Sequence, residues 1–376
     1  MAIDRLNSYR SRLLIILVCG LLASCDKPSQ TTVKSTAAVA EKTEPALLQI
    51  SAVGDIMLGG TAEPVLQELS YHHPFEKVSP LLKKSHIVIG NLESPLTNSE
   101  TPCADKDYLF KTPPERVAPA LKQAGFTIMN LANNHIMDFG IEGLKDTMKA
   151  LNANHIQYVG ADMNLALART GKIIKARDQK IGFLSYSLTF PASFWADKNK
   201  AGAAFGHELQ IRQDIRRIKQ TADIVIVSFH WGGEKTTELR EYQPLLAHAA
   251  IDEGAAMIIG HHPHVLQAVE HYKNGIILYS LGNFAFGSYS KDAEFSVIAT
   301  ARFKDKQFYS LQLTPVNVLN VEVNFQPQIL HNEDAAKVIE HINKLSNPLN
   351  TRFSNQKGVA VLHISPASNY SATNSH

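Results

Sequence analysis

Five apolar, strand-like runs in this chain each stop at a short group of polar residues suited to holding a metal ion. Residues 47–53 lead into Gly54-Asp55, and residues 87–89 into Gly90-Asn91-Leu92-Glu93. Residues 127–131 lead into Asn133-Asn134-His135, with Asp138 three positions on. Residues 224–229 lead into His230-Trp231-Gly232, and residues 257–259 into Gly260-His261-His262-Pro263-His264. In an open α/β sheet the carboxyl ends of the strands face one crevice, so motifs far apart in sequence converge there. The repetition therefore predicts an α/β fold with its chemistry along one rim. Two carboxylates, an Asn and several imidazoles suit a divalent ion such as Mn²⁺, Fe²⁺ or Zn²⁺.

The rest of the chain divides by composition. Residues 46–287 alternate strand-like runs with helical patterns over 114–124, 141–153, 208–221 and 242–253, the signature of an α/β domain. In the first helical stretch Val117, Leu121 and Ala124 share one face, with Lys122 and Gln123 off it. Beyond Ser290 the pattern turns to strands over 295–303, 307–313 and 316–323, with a late helix over 333–345. The expectation is one domain over 46–365, its motifs within 49–286 and its second sheet completed by 290–345. The Ser/Asn-rich end, 366–376, reads as a loose tail.

The first 25 residues read as a targeting segment. Arg5, Arg10 and Arg12 precede the apolar run 13–22, which is short for a membrane span. The run ends in Leu22-Ala23-Ser24-Cys25, which resembles a bacterial lipobox with Cys25 as the lipidated mature N-terminus. An ordinary signal peptide or a short anchor is the alternative reading. Asp26 resembles the signal that retains some lipoproteins at the inner membrane, on its periplasmic face. Residues 26–45 are rich in Ser, Thr, Ala, Lys and Pro and read as a flexible tether.

Processing also settles the charge and cysteine arguments. Removing three arginines and one aspartate leaves 34 residues of each sign, so the mature chain offers no basic field for nucleic acid. With Cys19 lost and Cys25 lipidated, Cys103 is alone, which excludes an intramolecular disulfide.

Each motif carries a plain alternative. Gly54-Asp55 can be a ligand at a close turn or an ordinary cap. Asn91-Leu92-Glu93-Ser94-Pro95 can offer a second carboxylate or a proline-ended turn. Asn134 is a good oxygen ligand and His135 a proton donor that Asp138 could orient, or the segment caps the next helix. A lone His230 can be structural, and Gly232-Gly233 suggests close backbone approach. Glu234 reads as solvated or substrate-facing. Three imidazoles at 261, 262 and 264, braced by Pro263, are harder to satisfy without a metal. Asn283 can touch substrate or support the site, or form a turn with Gly282.

The ordered set resembles the capsule-synthesis CapA family, associated with poly-γ-glutamate capsules and related to the calcineurin-like metallophosphoesterases, over residues 49–286. The resemblance implies a four-layer αββα sandwich. The metallophosphoesterases use Asp-x-His, Gly-Asp, Gly-Asn-His, a lone His and Gly-His-x-His. Carried over by position, Asp55, Glu93, Asn134, His230, His262 and His264 are metal ligands and His135 the catalytic proton donor, with Asp138, three residues on, as its orienting partner. Asn91, Asn133, His261 and Asn283 would meet substrate or support the ligands. Met57 stands where the first His belongs and Glu93 replaces the bridging Asp, which leaves one ion or an altered pair.

The implied setting is production, export or anchoring of an anionic extracellular polymer such as poly-γ-glutamate, alongside membrane capsule-synthesis proteins. Hydrolysis of a phosphoryl or amide centre is the implied chemistry. A non-catalytic subunit that binds the polymer is the competing reading.

Overall fold

Buried parallel strands must be apolar on both faces, and residues 224–230 show why this chain stacks four layers. In the computed structural model, which describes residues 47–103, 106 and 108–363, strand Ile224–His230 is buried throughout. Ile224 and Ile226 point into a core shared with Leu48, Ile50, Ala52, Ile87 and Ile89. Val225, Val227 and Phe229 point the other way, onto helices Glu208–Lys219 and Tyr242–Asp252 through Ile211, Ile215, Leu246 and Ala250. Across the molecule, Val53, Val88 and Met129 turn outward onto helices Pro114–Ala124 and Gly140–Ala153. The fold is an αββα sandwich with three apolar layers.

Among the described residues the larger sheet holds ten strands, including the parallel set Leu48–Met57, Ile87–Leu92, Ile128–Asn130 and Gln157–Val159. The smaller holds six, with Gln179–Ser187, Ile224–His230 and Met257–His261 parallel at its centre. Register aligns the motifs: Asp55 pairs with Asn91, Asn91 with Asn130, and His230 with His261. The carboxyl ends of both parallel sets thus reach the same rim.

Two expectations are corrected. The hairpin Phe295–Lys304 and Gln307–Asn317 does not complete the second sheet. It pairs antiparallel with Leu48–Met57, Leu48 opposite Phe303, and extends the first sheet. Pattern marks a segment as strand, but the free edge of the first strand decides its partner. The second sheet is instead finished by Lys172–Ala176 and by Val269–Tyr272 with Gly275–Leu278. The third expected strand, 316–323, splits: Val316 and Asn317 end the hairpin, and Asn320–Val323 is a helical turn. The late helix, Asn332–Ser346, buries Val338, Ile339 and Ile342 in the inter-sheet core. The expected signal, tether and tail lie outside the described residues.

Two glycines let backbones meet at the rim. A Cβ on Gly54 would lie 1.9 Å from Gly282 O, and one on Gly260 would lie 1.9 Å from Tyr279 O. Neither carbonyl can withdraw, because each belongs to packed main chain. Gly260→Ala is expected to lower stability by about 3 kcal/mol or more, measured by denaturant unfolding. A loss within experimental error would show that the rim is looser than this packing indicates.

Candidate metal centre

The first strand does not stop at Val53; it runs to Met57 with a register shift between Ala52 and Asp55. That irregularity turns the Asp55 carboxylate into the crevice, while its N–H donates to Gly282 O at 2.9 Å. Glu93 follows the second strand and is fully buried beside it. Asn91 holds both: its amide nitrogen donates to Asp55 Oδ1 at 2.8 Å and to Glu93 Oε2 at 3.0 Å. The orientation of that amide is fixed by its oxygen, which accepts from Asn130 and Asn133, each at 3.1 Å.

Asn133 is likewise buried and satisfied, bonding Leu92 O and the N–H groups of His135 and Ile136. His261 turns away from its neighbours into the inter-sheet core, near Val53 O at 3.2 Å and Ser228 Oγ at 3.2 Å. Asn283 Oδ1 sits 2.9 Å from His264 Nδ1. Asn91 and Asn283 thus touch the metal-suited groups directly and Asn133 braces Asn91, whereas the His261 ring lies outside the crevice.

The second sheet supplies the imidazoles. His230 Nε2 lies 2.8 Å from Asn134 Oδ1 and 3.6 Å from Glu93 Oε1. His264 Nδ1 lies 3.3 Å from Asp55 Oδ2, and its Nε2 lies 3.7 Å from Glu93 Oε1. His262 and His264 are aimed there by left-handed backbone, φ 94° and 60°. For non-glycine residues such backbone costs on the order of 1 kcal/mol or more, and it clusters at functional sites.

The residues fit a cation. Glu93 Oε1 and His262 Nδ1 are buried without any hydrogen-bond partner among the described residues. Such orphaned atoms are rare unless a bound ion or water satisfies them. Burial, then the charge of Asp55, pushes the Glu93 carboxyl well above its ordinary range. Burial, then His264, pushes His262 down to about 3, and His230 is also held far below normal. A divalent ion would relieve this by favouring the carboxylate and the neutral imidazoles. Three ligand sets meet here, each with its atoms within 4.8 Å: Glu93, His230 and His262; Asp55, Glu93 and His264; Glu234, His262 and His264.

His135 stands beside this cluster, its Nδ1 2.8 Å from Asp138 Oδ2. Asp138 is fully buried and also accepts from the N–H of Phe110 at 2.9 Å. Burial lowers the His135 pKa, against the pull of Asp138. The bond to Asp138 leaves Nε2 as the ring atom free for proton transfer.

Residues 49–288 match the family model described as "Bacterial capsule synthesis protein PGA_cap". The chain belongs to that family. It is 35% identical to "Capsule biosynthesis protein CapA" of Bacillus anthracis over 77% of this chain and 72% of the relative. It is also 35% identical to "PGA biosynthesis protein CapA" of Bacillus subtilis (strain 168), over 72% of each. Among solved structures it is similar to the calcineurin-like phosphoesterase YfkN of Bacillus subtilis. That match has TM-score 0.41 and 14% identity over 82% of this chain and 99% of the other.

Two site residues of this PGA_cap family member escaped the sequence reading. Lys106 donates to Asp138 Oδ1 at 2.7 Å and to Asn134 O at 2.8 Å, tying the loop before helix Pro114–Ala124 to the catalytic candidates. Nothing in its polar surroundings signals this, since the partners lie about thirty residues away in sequence. Glu234, expected to be solvated or substrate-facing rather than a ligand, is exposed, and a carboxylate oxygen lies within 4.8 Å of ring nitrogens of His262 and His264.

Proposed function

We propose that this PGA_cap family protein is an exported, lipid-anchored hydrolase-type component of poly-γ-glutamate capsule biosynthesis, working through a divalent-metal centre. Asp55, Glu93, Asn134, His230, His262 and His264 would hold Mn²⁺, Fe²⁺ or Zn²⁺. The ion, when bound, supplies Lewis-acid polarisation of a phosphoryl or amide centre. His135, its Nδ1–H held by Asp138, takes a proton at Nε2 from the attacking water and passes it to the leaving group. The observation that carries this reading is the pair of orphaned buried atoms, Glu93 Oε1 and His262 Nδ1, inside a ring of further ligands. The polymer setting rests on the family and on the names of the two CapA relatives.

Elemental analysis of the purified protein tests the centre, followed by an esterase and peptidase screen with added Mn²⁺. Stoichiometric metal and metal-dependent turnover are expected; a metal-free protein that also refuses added Mn²⁺ overturns the reading. One observation favours a non-catalytic, polymer-binding accessory role instead. Met57 is fully buried and offers the crevice no imidazole at the position where metallophosphoesterases carry a ligand.

Anchoring is tested separately. Cys25→Ser is expected to release the protein from the membrane fraction or leave it as uncleaved precursor, seen by fractionation and palmitate labelling. Continued labelling of the variant would end the lipoprotein assignment. Among the described residues no helix is long and apolar enough to cross a membrane. Retention at the periplasmic face of the inner membrane, near membrane capsule-synthesis proteins, is part of the same proposal.

A further inference from the structure

We infer that Glu234 is a metal ligand, closing an outer ion position with His262 and His264 beside an inner position formed by Glu93, Asn134 and His230. The inference rests on the metal reading above and adds a second ion with its own ligand.

Backbone geometry puts Glu234 there. Trp231 N–H donates to His261 O at 3.1 Å and Lys235 N–H donates to Pro263 O at 2.8 Å. These bonds bracket Glu234 and lay its loop along the histidine segment. Gly232 and Lys235 adopt left-handed φ of 90° and 56°, so the loop is turned sharply on both sides of the carboxylate. The ligand atoms of Glu234, His262 and His264 then fall within 4.8 Å of one another.

The carboxylate has no other occupation. Glu234 makes no hydrogen bond or ion pair among the described residues, whereas the adjacent Lys235 pairs with Asp292 at 3.4 Å. Across from it, His262 is only 8% exposed and its Nδ1 has no partner. A buried ring with an unpaired nitrogen, in the same 4.8 Å cluster as a free carboxylate, is a half-built cation site.

Chemistry explains the need for it. The first strand contributes Asp55 alone, because Met57 is fully buried and its thioether lies beside the Gly59-Gly60 turn, where a Cβ added to either glycine would meet it at 3.6 Å. Thioether sulfur is also a poor partner for Mn²⁺ or Zn²⁺ beside carboxylates. An exposed carboxylate from another strand end restores both a donor and a negative charge.

The test is a Mn²⁺ titration of the detergent-solubilised, metal-stripped full chain by calorimetry, with bound metal counted by elemental analysis. Wild type is expected to take two ions. Glu234→Gln should keep the tighter one and bind the other about 100-fold more weakly or worse, beyond the loss usual for a supporting residue. Glu238→Gln removes an exposed charge from the same loop and should leave both ions in place. Folding is not at risk, since both glutamates are exposed. Two ions at wild-type affinity in Glu234→Gln would overturn the inference, as would an equal loss in Glu238→Gln. A wild type that takes one ion, unaffected by Glu234→Gln, defeats this inference and leaves the metal reading standing. A wild type that takes none defeats the metal reading itself.

Discussion

The double variant His262→Ala/His264→Ala is expected to lose metal affinity by more than about 100-fold while remaining folded. The two imidazoles enter all three ligand sets, so no set survives their removal. Their structural bonds are few. His264 contacts Asn283 at 2.9 Å and Asp55 at 3.3 Å, and Asp55 would still accept from Asn91 and from the His262 backbone N–H. The metal-free variant should therefore be less stable by only about 1–2 kcal/mol. The large effect appears with metal. Wild type at a Mn²⁺ concentration a thousandfold above its dissociation constant gains about 4 kcal/mol, and the variant should gain less than about 1.4 kcal/mol. Thermal unfolding with and without Mn²⁺ reads both quantities. An undiminished upward shift in the variant would place the ion elsewhere.

The rim was legible in sequence because its signals are local. A buried parallel strand is an uninterrupted apolar run, and polar residues directly after it stand at the carboxyl edge. Asp55, Glu93, Asn134, His230, His262 and His264 each follow or end such a run, and the structure brings all six together. Alternation separates the three imidazoles. His261 is the last residue of strand Met257–His261 and shares its face with Met257 and Ile259, both in the inter-sheet core. Its ring therefore bonds across to Val53 O and not into the crevice.

What escaped was long-range. Whether Phe295–Lys304 joins one sheet or the other depends on which strand edge is open, which no local pattern encodes. Glu234 sits in a polar loop like many others until two backbone bonds to His261 and Pro263 align it. Lys106 becomes informative only once Asp138 is known to be fully buried and in need of a cation.

Those last contacts sharpen the test that separates hydrolase from binder. His135→Asn is expected to keep metal and polymer binding and to lower turnover by about 10²–10⁴-fold, the usual worth of a positioned proton donor. The ring is no member of the three ligand sets, so a metal loss is not expected. Asp138→Asn should reduce turnover less, because it orients the ring and does not transfer the proton. It should also reduce stability by about 1–3 kcal/mol, since it weakens bonds to Lys106 Nζ and Phe110 N–H as well as to His135. Stability and turnover thus move differently in the two variants, which keeps a folding defect from passing as a catalytic one. If the crevice only binds polymer, capsule formation in the native host should survive His135→Asn and fail with Asp55→Ala or His262→Ala. Full complementation by His135→Asn, at normal protein level and metal content, would end the case for hydrolysis through this residue.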